Sequence, residues 1–396
     1  MRPVSRQHAA CGRRQHLRKP MSPAPLRAAG EASRGDRIAI LDGFRAFAIA
    51  LVIGFHYFSR WTPPRSAENL YPYGDWLAHF PLFNYGYLGV QLFFIVSGFV
   101  ISMTLLGCRD WYDFAWKRFA RLFPTMLLCS TLSFLFVWAF PTGHFSSSLR
   151  DFLPSLTFSE PDLWSRALGL PFRAIDSAYW SLQVEVKFYF WAAVLFFVGQ
   201  ADRFVIRFTW FFVAVWVAQL VSEATDWRVS RAIVEEAWIP AHLPWFAAGV
   251  GFHSTYHSRG DRTGVWLIVL SLLVLVLRWF TAPAASATEL LFSILFFGLF
   301  TLFVKRPNSL AWFGSAPMVA IGAASYSLYL LHQDIGVTVL SLWAASGVAV
   351  HSSAWLAVAV AGCLIALSVG IYRFWEMPAK GQILRWRRST SLRAAA

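Results

Sequence analysis

Ten stretches of this chain are apolar for long enough to cross a lipid bilayer: about 38–58, 86–106, 122–140, 180–199, 204–222, 238–256, 264–280, 288–304, 317–345 and 354–377. A hydrocarbon core roughly 30 Å thick takes about 20 residues of helix per crossing. Lipid offers no water to unpaired backbone groups, so segments of this kind must close their hydrogen bonds within a helix. The sequence therefore predicts an all-α integral membrane protein with about ten transmembrane helices. Composition agrees: 57% of residues are hydrophobic and 14% charged, against a usual charged share of about 25%, which excludes an ordinary soluble domain or a disordered chain. The sixth segment is the weakest, interrupted by Pro240, His242 and Pro244. The ninth is long enough to tilt or bend. A fixed-period repeat is not visible, which disfavours a transporter built from matched halves.

A net charge of +14 and a pI near 10.1 would suggest nucleic acid in a soluble protein. Here the basic excess sits at the two ends and in alternate short loops, and the sequence carries no nucleic-acid module pattern, so the expected partner is the lipid bilayer. Residues 1–37 hold nine Lys or Arg against two acids and read as a disordered basic tail. Residues 379–396 form a second basic tail, with the membrane domain at 38–378 between them. If the first tail is cytoplasmic, the inward loops hold Arg109, Lys117, Arg118 and Arg121, then Arg203, then Arg259 and Arg262, then Lys305 and Arg306. The outward loop at 223–237 instead carries Glu223, Asp226, Glu235 and Glu236 against Arg228 and Arg231. Both termini are then cytoplasmic and the number of crossings is even. Cys11, Cys108, Cys129 and Cys363 have neither metal nor disulfide spacing, and no metal site is expected.

Ionisable groups inside apolar segments cost about 2.5–3.5 kcal/mol each on insertion scales, so each needs a reason. In the first segment Arg45 and His56 are eleven residues apart, about three helical turns plus 20°, so they project from one stripe roughly 16 Å apart along the axis. Asp42 lies three residues before Arg45, close enough to pair with it. The expectation is that this stripe faces one cavity running through the bundle. Interfacial anchoring of Asp42 and Arg45, with packing of His56, is the alternative. Arg118 and Arg121 share a helical face just past the second segment; they are either charge anchors or a fork for phosphates, which guanidinium groups bind bidentately. Glu185 lies inside the fourth segment and needs a donor; Lys187, two residues on, cannot share its face, so His56 or an arginine elsewhere is the better partner. His332 and Asp334 fall within the ninth segment, with Ser325, Tyr326 and Tyr329 as hydrogen-bonding neighbours. Glu376 precedes Pro378 at the inner boundary, where a solvated helix terminus is the plainer role.

Taken together, these strings resemble the acyltransferase 3 family of bacterial multi-pass membrane O-acyltransferases. The resemblance runs from Arg37 to about Pro378. It rests on LDGFRAFAIALVIGFH with Arg45 and His56, GVQLFFIVSGFVIS, the Arg118–Arg121 pair, WSLQVE ending in Glu185, SYSLYLLH ending in His332, and Glu376 with Pro378. One departure is Gln91, where relatives often have an acid. The resemblance implies transfer of an acyl group, most often acetyl, from cytoplasmic acyl-CoA to a hydroxyl of a cell-surface glycan or glycosylated metabolite. It implies a place in the bacterial cytoplasmic membrane. A second expected departure is that no soluble hydrolase-like domain follows the last segment, whereas some relatives append one. His56 is then the general base or the nucleophile of an acyl-histidine intermediate, with Glu185 or His332 orienting it or the acceptor. Asp42, Arg45, Arg118, Arg121 and Glu376 would hold the donor. The competing reading is a proton-coupled exporter or glycan flippase, with His56, Glu185 and His332 as a proton relay; a non-catalytic membrane scaffold is a third.

Overall fold

The computed structural model describes residues 24–225, 234–258, 260–281, 286–347 and 353–395. Cys11, Asp226, Arg228, Arg231 and Arg259, named above, lie outside them. Every regular element among the described residues is helical.

The first helix, α1 (Ala24–Phe58), begins well before its apolar part at Ala39–Phe58. Ala24, Leu26, Ala28, Ala29 and Ala32 are strong helix formers, and they extend the helix beyond the run that spans the membrane. Next come α2 (Gly89–Leu106), α3 (Trp111–Ala139), α4 (Trp180–Phe197), α5 (Phe204–Thr225), α6 (Leu243–His257), α7 (Arg262–Thr281) and α8 (Ala287–Lys305). The ninth apolar segment divides into α9 (Ala316–Ala323), α10 (Ser325–Leu331) and α11 (Asp334–Ala345). Then α12 (Ala354–Ile371) continues through a π-helical turn, Tyr372–Glu376, into α13 (Met377–Ala395). The second basic stretch is thus helical, and Glu376 is buried inside a helix that runs on past Pro378 rather than solvated at a helix end.

Seven helices among the described residues are long and apolar enough to cross a membrane by themselves: those at α1, α2, α3, α5, α7, α8 and α12. This is a multi-pass membrane protein. The three expected segments that fall short have identifiable reasons. Helix α4 contains Glu185 and Lys187. Helix α6 starts only after Pro240 and is fifteen residues long. The ninth segment breaks at Ala324 (φ −87°, ψ 3°) and again at His332–Gln333.

The second break is satisfied from outside the helix, as backbone at membrane depth requires. Tyr57 Oη donates to the His332 carbonyl at 2.8 Å, and Tyr179 Oη to the Leu330 carbonyl at 3.1 Å. Gly336 makes room for this, because a Cβ there would stand 1.8 Å from Tyr57 Oη. Helices α2 and α6 cross at similarly close range. A Cβ on Gly98 would meet the Phe246 carbonyl oxygen at 2.2 Å, and one on Gly249 would meet that of Ile95 at 2.2 Å, the small-residue contact typical of membrane helices. Around α1, Phe44 packs against Phe300, Phe303 and Phe313 with ring centroids 5.2, 5.7 and 5.0 Å away. Trp210, Trp266, Phe280, Leu295 and Val358 are exposed, as lipid-facing residues should be, and so is Cys363, whereas Cys129 is buried.

Candidate active site

The charged stripe of α1 faces inward, and Arg45 Nη1 pairs with Asp42 Oδ1 at 2.6 Å, as the three-residue spacing predicts. The single expected cavity is instead two, a correction that places the two ends of the stripe in separate spaces. The first, of about 70 Å³, is lined by Arg45, Arg118, Arg121, Ser97, Glu185 and Tyr189 among others. The second, of about 310 Å³, is lined by His56, Arg60, Gln91, Ser177, Trp180 and Gln333 among others. Val90 and Tyr329 line both. The arginine chamber and the imidazole chamber therefore adjoin at one aliphatic and one phenolic side chain.

In the arginine chamber, three guanidinium groups face one carboxylate in the lining. Glu185 Oε1 accepts from Ser97 Oγ at 2.5 Å and from Tyr189 Oη at 2.6 Å. Its neighbours are the arginines rather than His56, so Glu185 has no place beside the imidazole. Lys187, as its spacing requires, leaves that face altogether and pairs with Glu160 and, at 3.4 Å, with Glu236. Arg118 lies over the rings of Phe114 and Tyr189 at 5.7 and 5.8 Å, and its Nε is buried with no hydrogen-bond partner. Arg121 lies within electrostatic reach of Glu185, Glu376 and Asp42. Glu376 Oε2 is likewise buried and unpartnered. Lys380, which sequence reasoning assigned to the tail, lies within reach of Arg118, Arg121 and Glu376. Together these groups leave an excess of positive charge with unused donors, a setting in which anionic oxygens are bound strongly.

In the imidazole chamber, His56 lies against His332. Their ring centroids are 4.9 Å apart at 81°, with His332 Nε2 3.3 Å from His56 Nδ1. His332 is fully buried and is absent from the chamber lining. A carbonyl only accepts hydrogen bonds, so His56 Nδ1, 2.9 Å from the Val52 oxygen, carries the proton, and His332 Nδ1, 2.7 Å from the Tyr329 oxygen, carries its own. That assignment leaves the lone pair of His56 on Nε2. A neutral imidazole with a free nitrogen and a fixed tautomer is equipped to take a proton from a hydroxyl. The Oε1 of Gln91, the position that departs from the family pattern, is buried without a partner at this chamber.

Sequence reasoning missed Gln333, Asp176 and the shared wall residue Val90, and took Tyr329 only as a hydrogen-bonding neighbour. Gln333, next to His332 in an apolar run, carried the one available signal, a polar side chain at membrane depth. Asp176 lies in a connection and gave none. Among the described residues, no group of three or more His, Cys, Asp or Glu side chains could hold a metal ion.

These elements define a membrane-embedded helical protein with a cationic chamber set against a histidine chamber. Residues 38–373 match the acyltransferase domain of the acyltransferase 3 family model, and the chain belongs to that family. It is 31% identical over 109 residues to an O-acetyl transferase of Shigella phage Sf6, covering 26% of this chain and 33% of that protein. It is 28% identical over 172 residues to YrhL of Bacillus subtilis (strain 168), whose name as a peptidoglycan O-acetyltransferase is provisional, covering 40% of this chain and 24% of YrhL. Against the O-acetyltransferase OatA of Staphylococcus aureus (strain NCTC 8325 / PS 47) identity is 25% over 374 residues, 85% of this chain and 56% of OatA. The chain thus spans between about a quarter and just over half the length of these relatives. No solved structure matches it.

Proposed function

We propose that this protein is an O-acetyltransferase of the bacterial cytoplasmic membrane, with ten crossings and both termini cytoplasmic. It moves an acetyl group from cytoplasmic acyl-CoA to a hydroxyl of a cell-surface glycan or glycosylated metabolite. The observation that carries the reading is the contact of the two chambers at Val90 and Tyr329, which brings a site suited to a phosphorylated donor against a site with a basic nitrogen. The names of the relatives support acetyl transfer and give none to an exporter.

The residues fit the donor's chemistry. Arg118, Arg121 and Lys380 would meet the phosphates of CoA, and Arg45, held by Asp42, would lie toward the thioester. A volume of about 70 Å³ has room for about five water molecules at roughly 10–15 Å³ each. The chamber therefore takes only part of the donor, and the bulk of the nucleotide stays outside it. In the transfer, His56 Nε2 removes the proton of the acceptor hydroxyl as the oxygen attacks the thioester carbonyl. The C–O bond forms, the C–S bond breaks, and the thiolate recovers the proton from the imidazolium.

The test is turnover of radiolabelled acetyl-CoA by membranes containing the wild-type or the His56→Ala protein. Label should pass to acceptor in the first and not in the second. Wild-type turnover by His56→Ala would remove His56 from the chemistry.

A further inference from the structure

We propose that Gln333 is a positioning residue for His56, with the buried carboxyl pair Asp176–Asp334 holding its carboxamide so that the oxygen faces the imidazole. The inference rests on the acetyl-transfer reading and adds to it the group that receives the imidazolium.

Gln333 is 2% exposed and lines the imidazole chamber. Its amide nitrogen lies 2.9 Å from Asp176 Oδ1 and 2.7 Å from Ser177 Oγ. A carboxylate only accepts, so the group turned toward Asp176 is the NH2 and the group turned away is the carbonyl oxygen. His56 and Gln333 line the same chamber. Nδ1 of His56 is committed to the Val52 carbonyl, with His332 behind it. Nε2 is therefore the nitrogen that meets Gln333. An unprotonated Nε2 gains nothing from a carbonyl oxygen, whereas a protonated one donates to it. The arrangement favours the imidazolium, the state that exists only while the acceptor's proton is in transit, and an interaction of that kind accelerates the step.

The support beneath Gln333 is more elaborate than helix capping needs. Asp176 accepts from the backbone N–H of Ala178 at 2.7 Å and of Asp334 at 3.2 Å, which ends the chain break neatly. Yet the carboxyl of Asp334 lies close by as well, its Oδ1 3.5 Å from the same Gln333 amide nitrogen, with both aspartates buried. Two buried carboxyl groups that close share a proton. The shared proton keeps Asp176 an acceptor toward Gln333 without leaving two bare charges together. Arg60 lines the same chamber and His332 lies against the His56 ring; the Arg60 charge repels an imidazolium, and Gln333 supplies the counterweight.

The experiment measures kcat, donor KM and the pH–rate profile of the full-length protein in detergent, with folding checked by its melting temperature. Gln333→Met keeps the bulk and loses both polar atoms. Its kcat should fall about 10- to 100-fold, the worth of a hydrogen bond to a charged group. Donor KM should stay within about twofold, and the acidic limb of the profile should move to lower pH. Asp176→Ala should produce the same change, and the double variant should be no worse than either single one. Asp334→Asn, which still offers a hydrogen to Asp176, should lose less than Asp334→Ala. A folded Gln333→Met protein with wild-type kcat and an unmoved acidic limb would overturn the proposal while leaving the His56 result intact. A wild-type protein that does not turn over acetyl-CoA would overturn both.

Discussion

His332 Nε2 stands 3.3 Å from His56 Nδ1, on the side of the ring away from the chamber. On the proposed reading, a histidine so placed touches neither donor nor acceptor; it holds the His56 ring at its back. His332→Ala should lower kcat about tenfold and leave both KM values close to wild type, a smaller loss than His56→Ala causes. Steady-state kinetics of the two variants side by side decides this, and equal losses would place His332 in the reaction itself.

Arg118 offers a buried Nε with no partner to a chamber already rich in guanidinium groups. Arg118→Ala should raise the donor KM about tenfold and leave the acceptor KM within twofold. Varying each substrate in turn gives both constants. A rise of equal size in the two would speak against a role in phosphate binding.

Val90 is the aliphatic half of the partition between the chambers. Val90→Phe adds a ring where the acetyl group must pass. The expected result is a kcat lowered tenfold or more with donor KM near wild type, since the arginines are left unchanged. Full activity in this variant would mean that transfer follows another route.

Burial pushes the Asp176 carboxyl, which lies in the connection ahead of α4, up to about 7. Asp334 is its ionisable neighbour, and the phenols of Tyr57, Tyr179 and Tyr329 face it as well. Between the ordinary carboxylate range near 4 and pH 7 the folded protein binds a proton there that the unfolded chain does not. The stability this group contributes is complete below that window and is lost as pH rises through it. Melting temperature in detergent should therefore decline from pH 5 to pH 7, and Asp176→Asn should flatten the decline. A wild-type curve already flat over that range would contradict the assignment.

Much of this was legible in the order of residues, and what was legible was local. The apolar runs marked the helices, the three-residue spacing paired Asp42 with Arg45, and the stripe through Arg45 and His56 does face the interior. The partner of Glu185 was not legible, because Ser97 and Tyr189 differ from any other serine and tyrosine only by being near it in space. Nor was the break at His332–Gln333, since no proline or glycine marks that point. It exists because Tyr57 and Tyr179 are there to take the freed carbonyls.

The partition of Val90 and Tyr329 has a consequence for the membrane as well as for the reaction. On the proposed transfer reading, a small group passes between the chambers at a point walled by a methyl-bearing and a ring-bearing side chain. Such a wall is narrow and apolar, so it would let the cargo change carriers without opening a continuous column of water.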